Sequence, residues 1–211
     1  MQTEAKVYEK TYRSYLSQIG DIDLKALGQK LGLAASGNGV VIPLYGKPHT
    51  LSEKGITDPT GKQPSLAVCV ILCKHLLLCP EVQPFGKEWA AFRDLKDSGP
   101  LTTYFANDVE RAIAEYFSGK PDQIKRAGQI LGGYPPGMEV AYDLALQFDA
   151  LPKIPVVMLY NDADDEFPVK CSVLFERRAE NYLDPESLAM LGRLLFSSLE
   201  NATDPNKGVI E

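Results

Sequence analysis

The chain has 211 residues, of which 45% are hydrophobic, 24% charged and 9% aromatic, enough to bury a core of its own. Its formal charge of -6 argues against nonspecific binding to nucleic acid or to an anionic membrane surface. The acidic excess is concentrated, because residues 139–211 hold 14 Asp/Glu against 6 Lys/Arg, a balance of -8, while residues 1–138 stand at +2.

The opening residues, Met1-Gln2-Thr3-Glu4-Ala5-Lys6, are polar and lack the apolar stretch of a signal peptide. Tyr8, Tyr12, Tyr15, Leu16 and Ile19 recur at helical spacing and predict an amphipathic helix over 3–19, ended by Gly20-Asp21. Asp23 is placed to cap a second short helix that runs through Leu31 and stops near Gly32. The turn signal Ser36-Gly37-Asn38-Gly39 precedes a short strand over 40–45, and a second turn at 46–48 leads to a strand over 49–51. Pro43 and Pro48 lack N–H donors, which predicts a small hairpin at a sheet edge. Residues 53–64 read as a polar loop.

Ser65 opens an apolar helix over 66–79 that Pro80 closes. That run is interrupted by Lys74-His75 and is shorter than the ~20 residues of a bilayer span, so it reads as a buried helix. A short element of undecided type covers 89–95. Pro100-Leu101 starts a helix whose stripe is Tyr104, Phe105, Val109, Ala112, Ile113 and Tyr116, ending at Gly119. Pro121 begins another, which runs to Leu131 before Gly132-Gly133. Three strands then follow over 140–151, 156–160 and 169–175. A last helix starts at Asp184-Pro185-Glu186-Ser187, carries Leu188, Leu191, Leu194, Leu195 and Leu199 on one stripe, and ends near Asn201. The order of elements predicts an α+β domain over 1–201, an antiparallel sheet packed against helices from both ends of the chain, with a frayed tail over 202–211.

Chemistry is concentrated most tightly in residues 161–168, where Asp162, Asp164, Asp165 and Glu166 place four carboxylates within five positions. As the connection between two strands this is a solvated hairpin tip whose charges discourage edge pairing. It also has the composition of a ligand- or partner-binding loop. Asp164, Asp165 and Glu166 are candidate ligands for a hard divalent cation, although the spacing and central glycine of an EF-hand are missing. Cys69, Cys73, His75 and Cys79 fall within eleven residues, but at 100° per residue the two early cysteines face away from the other pair, and no Cys-x-x-Cys is present. They read as buried, reduced thiols, as does Cys171, which points to the cytoplasm. The glycines at 132, 133 and 137 follow a helix instead of preceding one, the wrong end of the macrodipole for a phosphate. No nucleotide or iron–sulfur motif is present, and the cofactor is left open. His49 and His75 are the only histidines, and no Gly-x-Ser-x-Gly elbow accompanies them. Arg177-Arg178 reads as a charged helix start able to reach the acidic loop. Trp89, Phe92, Tyr104 and Phe105 are core aromatics by spacing, with a pocket lining as the alternative.

Leu131-Gly132-Gly133, Pro152-Lys153-Ile154-Pro155, Asp165-Glu166-Phe167-Pro168 and Leu174-Phe175 together resemble an uncharacterised domain family of this length from anaerobic bacteria and archaea. Some of its members look to be fused to an iron–sulfur cluster-binding domain. The resemblance is clearest over 128–200 and implies no catalytic residues. It implies an anaerobic cytoplasmic setting, in redox or one-carbon metabolism, in which this chain is a partner and not the electron carrier. The expectation is therefore a non-catalytic module that binds a small ligand or a protein partner. The alternatives are a metal-dependent enzyme using the 162–166 loop with His49 or His75, and a structural assembly module.

Overall fold

Residues 2–203 are described in the computed structural model, with side chains from residue 9 onward. Helix α1 (Gln2–Gly20) buries Tyr12 and Ile19, and the Tyr12 hydroxyl accepts a 2.9 Å hydrogen bond from Ile56 N–H. Helix α2 (Leu24–Leu31) begins where Asp23 Oδ1 accepts from the Lys25 and Ala26 N–H groups, each at 3.0 Å. It ends at Gly32, whose φ of 75° is the left-handed cap that glycine supplies without strain.

The predicted N-terminal hairpin is the centre of a larger sheet. Strands β1 (Ala34–Ser36), β2 (Gly39–Leu44), β3 (Lys47–Ser52) and β4 (Gly55–Thr57) pair antiparallel in chain order. The expected polar loop over 53–64 thus contains a strand. The edge position predicted for the proline hairpin is also corrected, since β2 and β3 are the inner strands. Pro43 and Pro48 face each other at the turn end, beyond the last residues paired with β1 and β4, so neither proline has a neighbour asking for its missing donor. The turn itself is Tyr45-Gly46, with φ of 47° and 73°, the geometry that matches strand twist in a two-residue hairpin. Tyr45 is held there by long-range bonds: its N–H donates to Ala150 O at 3.0 Å and its hydroxyl to Leu191 O at 2.9 Å.

Helix α3 (Leu66–Leu77) starts at Ser65, whose Oγ accepts from Val68 N–H at 3.4 Å. It is buried on nearly every side, Cys69, Val70, Ile71, Leu72, Cys73, His75 and Leu76 all being inaccessible, as an apolar helix without a polar face must be. Strand β5 (Trp89–Ala91) and a 3₁₀ turn (Phe92–Asp94) resolve the undecided element. The helix expected over 100–119 is composite: a 3₁₀ turn leads into α4 (Thr102–Phe105), then a π-helical segment (Ala106–Arg111), then α5 (Ala112–Phe117). Helix α6 (Pro121–Ile130) closes through paired bonds, Gly132 N–H to Gln129 O at 3.0 Å and Gly133 N–H to Gly128 O at 2.8 Å. The two glycines are therefore a helix cap, as their position after a helix predicts.

Strands β6 (Leu144–Leu151), β7 (Ile154–Asn161) and β8 (Lys170–Glu176) form the predicted meander, and β5 adds to it, giving the antiparallel order β5-β8-β7-β6. The outer edge of β6 is covered by Tyr134, which exchanges backbone bonds with Gln147 at 3.0 and 2.7 Å. One face of this sheet, with Phe148, Val156, Met158, Tyr160, Val173 and Phe175, belongs to the hydrophobic core. The other face carries Gln147, Val157, Leu159, Ser172 and Leu174; Val157 and Leu159 are buried yet lie outside that core cluster. Arg177 and Arg178 lie in a 3₁₀ turn, not a helix start, and neither reaches the acidic loop. Arg177 pairs with Glu88 at 2.9 Å and Arg178 with Glu176. Helix α7 (Pro185–Thr203) continues two residues past the predicted end, so Ala202 and Thr203 are helical; the remainder of the expected tail lies outside the described residues.

Candidate functional site

Two adjoining cavities, of about 570 and 370 Å³, open at the end of the second sheet where β7 stops and β8 starts. Tyr142 and Lys170 line both, which makes the pair a single groove with two compartments. The first compartment is walled by the acidic loop. Asp162 and Asp164 line it together with Asp143 from the segment before β6, while Asp165 and Glu166 are exposed at the tip and line neither compartment. The structure therefore divides the four sequence candidates into two that face the groove and two that do not.

Each groove-facing carboxylate also holds the loop in shape. Asp162 Oδ1 accepts from Gly119 N–H at 2.9 Å and from Ala163 N–H at 2.9 Å, and it lies 3.1 Å from the Tyr160 hydroxyl. That hydroxyl is also 2.9 Å from Phe117 O, so two acceptors share its one proton. The Gly119 N–H, then the Ala163 N–H, keep the Asp162 carboxyl below the usual carboxylate range. Asp143 Oδ2 accepts from Asp162 N–H at 2.8 Å, and Asn161 Oδ1 accepts from Asp143 N–H at 2.9 Å. Asp164 Oδ1 accepts from Glu166 and Phe167 N–H at 2.8 and 2.7 Å, a side-chain-capped turn. In each case one oxygen is committed, and the second accepts no hydrogen bond among the described residues. Asp162→Ala, which orphans the Gly119 N–H and releases the loop from the α5–α6 junction, is expected to lower stability by about 1–3 kcal/mol in urea unfolding. A change below ~0.5 kcal/mol would mean that water replaces the carboxylate without loss.

The second compartment lies beside the part of β8 that β5 leaves uncovered, since β5 pairs only with residues 174–176. Glu110, on the π-helical segment, reaches this edge and accepts from Val173 N–H at 2.9 Å. Burial pushes its carboxyl up, against the opposing pull of that N–H and of Arg93 and Lys170. Ser172, Leu174 and Leu159 form the sheet side of the compartment, and Phe92 lines it as well. Glu110, Arg93 and Lys170 were not singled out by sequence reasoning. The available signal was that Glu110 stands four residues after Ala106 and three before Ile113, on the flank of the apolar stripe where a carboxylate is out of place.

The remaining candidates sit elsewhere. His49 is buried in β3 and His75 in α3, and neither lines the groove. Among the described residues no three His, Cys, Asp or Glu side chains come together as a metal-holding group, so Asp164, Asp165 and Glu166 do not converge. Burial raises the thiols of Cys69 to about 11 and of Cys73 to about 12 and holds that of Cys171 well above its usual value, which keeps them protonated and unreactive, whereas Cys79, expected to be buried with them, is only half-buried. Phe92 and Phe105 stack at 4.3 Å between ring centres within the core, although Phe92 also reaches the groove. No described helix is long and apolar enough to cross a membrane. A third cavity of about 560 Å³ lies between α2 and the β1–β2 turn; of its two acidic lining residues, Asp23 and Glu53, the first is already engaged in capping α2.

A family model described as Domain of unknown function (DUF3786) matches residues 23–198, a span that holds every groove residue named above. No curated protein and no solved structure matches the chain.

Proposed function

The chain belongs to the domain-of-unknown-function family DUF3786, and from that premise we propose that it is a binding module without catalysis of its own, taking a small polar ligand in the groove beside the acidic loop. The observation that carries this reading is the set of three carboxylates, Asp143, Asp162 and Asp164, which line the same compartment and each keep one oxygen that accepts no hydrogen bond among the described residues. Such a wall favours a donor-rich cation, an ammonium or guanidinium group, over a bare metal ion, which needs its oxygens gathered at one point. A volume of about 570 Å³ is within the usual range for a small-molecule pocket. The cytoplasmic, anaerobic redox or one-carbon setting implied by the sequence resemblance belongs to this proposal.

The test is a two-dimensional amide NMR titration with hexylammonium, using magnesium as comparator. Hexylammonium is expected to shift the amides of 142–143 and 161–170. Asp164→Asn, which keeps the turn's acceptor and removes its charge, is expected to weaken that binding by about fivefold, the equivalent of ~1 kcal/mol. The double variant Asp165→Asn, Glu166→Gln is expected to weaken it far less. No shift at the loop with hexylammonium, or equal losses from both variants, would overturn the assignment of the groove.

A further inference from the structure

The two compartments have opposite electrostatic character. Three carboxylates face the first and Arg93 with Glu110 the second, while Lys170 lines both and places its positive charge at their junction, so the first stays net negative and the second net positive. Three separate elements deliver those charges: Arg93 from the turn after β5, Lys170 from the first residue of β8, and Glu110 from the π-helical segment. The cations are poorly neutralised. Lys170 makes no ion pair among the described residues, and Arg93 meets Asp94 only at 3.9 Å with both side chains more than half exposed, a contact worth little in water. Glu110 is turned to the backbone of β8 through its bond to Val173 N–H. Tyr142 lines both compartments and so lies between the ends, Leu159 and Leu174 give the second compartment its apolar wall, and the Ser172 hydroxyl makes no hydrogen bond among the described residues. A π-helical turn is also the kind of local irregularity that recurs where a helix must aim one side chain at a site.

Building on the proposed assignment of the acidic compartment, we infer that the ligand is bipolar. Its ammonium or guanidinium end lies against Asp143 and Asp164 in the first compartment, an apolar spacer passes Tyr142, which lines both, and its oxyanion end enters the second compartment between Arg93 and Lys170. The oxyanion is a carboxylate or a phosphate, either of which arginine and lysine recognise. Glu110 acts as the internal counter-charge that the oxyanion must tolerate. It sets the strength of that end without being the group that holds the ligand.

Amide NMR titrations decide this with defined probes: ω-aminocarboxylates from 3-aminopropanoate to 8-aminooctanoate, the matching ω-aminoalkyl phosphates, hexylammonium and hexanoate. At least one bifunctional probe is expected to bind about tenfold tighter than hexylammonium, moving amides near 143 and 164 together with those near 93 and 172. The better of the two series identifies the oxyanion. Arg93→Gln with Lys170→Gln, both exposed positions, is expected to reduce the best probe to the affinity of hexylammonium. Glu110→Gln keeps an acceptor for Val173 N–H and removes the opposing charge, so it is expected to tighten the best probe several-fold, which an edge-capping role alone does not predict. The inference is overturned if no bifunctional probe exceeds hexylammonium, if the Arg93/Lys170 double variant leaves affinity unchanged, or if Glu110→Gln weakens binding. Binding of hexylammonium with no gain from an oxyanion would remove this inference and leave the acidic compartment standing; absence of both would remove both.

Discussion

Phe105→Ala is expected to lower the free energy of unfolding by about 3–5 kcal/mol. The ring is 1% exposed, stacks on Phe92 at 4.3 Å with an interplanar angle of 4°, and meets Phe175 at 5.9 Å. Helix α7 presses on its other side at Gly192, where an added Cβ would stand 2.5 Å from Phe105 Cε2, so there is no slack on that side for a helix side chain. Truncation leaves a cavity where α4, the turn after β5, β8 and α7 meet, and these are rigid elements that cannot all move inward. The same junction supports the second compartment, because Phe92 immediately precedes Arg93 and Phe105 immediately precedes the π-helical segment with Glu110. Urea unfolding at neutral pH measures the effect as a shift in midpoint at constant slope. A loss under ~1 kcal/mol would mean that the neighbouring rings collapse into the space.

Acidification from pH 6.5 to about 4 is expected to remove about 3 kcal/mol of stability through His75 alone. His75 is fully buried in α3, neither ring nitrogen has a hydrogen-bond partner among the described residues, and the Tyr182 ring lies 6.1 Å away. Burial pulls its pKa from 6.5 down to about 4, because a charged imidazolium finds nothing there to replace water. The sign follows from the proton balance. Above pH 6.5 both states are neutral at this site and its contribution is complete. Below 6.5 the unfolded chain takes up a proton that the folded chain refuses, so stability falls with pH until the folded state protonates near 4. His75→Leu removes the titration at similar volume, and its stability is expected to be flatter across this window than that of the wild type. Parallel profiles for the two proteins would refute the assignment. The carboxylates held below their usual range, Asp58, Asp162 and Asp184, lose their contributions at still lower pH and do so in both proteins. The raised Glu110 carboxyl acts with the opposite sign, again in both.

The acidic loop shows how far local pattern carries and where it stops. Four carboxylates in five positions between two strand-like runs mark a hairpin tip and a candidate site from residue order alone. Which of them face a cavity depends on Asp164 closing a turn on itself and on Asp162 reaching a backbone N–H 43 positions earlier. Asp143, the third wall, lies 19 positions before Asp162 and gave no signal of its own. Strands β1 and β4, three residues each, are too short to show alternation, which is why the first sheet read as a lone hairpin and its inner prolines as edge residues. The π-helical segment is equally hidden, since Tyr104, Phe105, Val109, Ala112 and Ile113 keep an ordinary helical stripe through it.

Residue order by itself determined the helix starts at Asp23 and Ser65, the glycine cap after α6, the α7 stripe and the β6–β8 meander. Each of these depends on capping, turn chemistry or periodicity within a few residues of chain, which act before any tertiary contact forms. Only the tertiary structure decided that β5 joins β8, that Glu110 meets Val173 across 63 positions, and that Arg93 comes to one end of a groove whose other end is acidic, with Lys170 at the junction. Those pairings arise from how the sheets and helices close over a shared core, and no local propensity encodes which distant side chains that closure brings together.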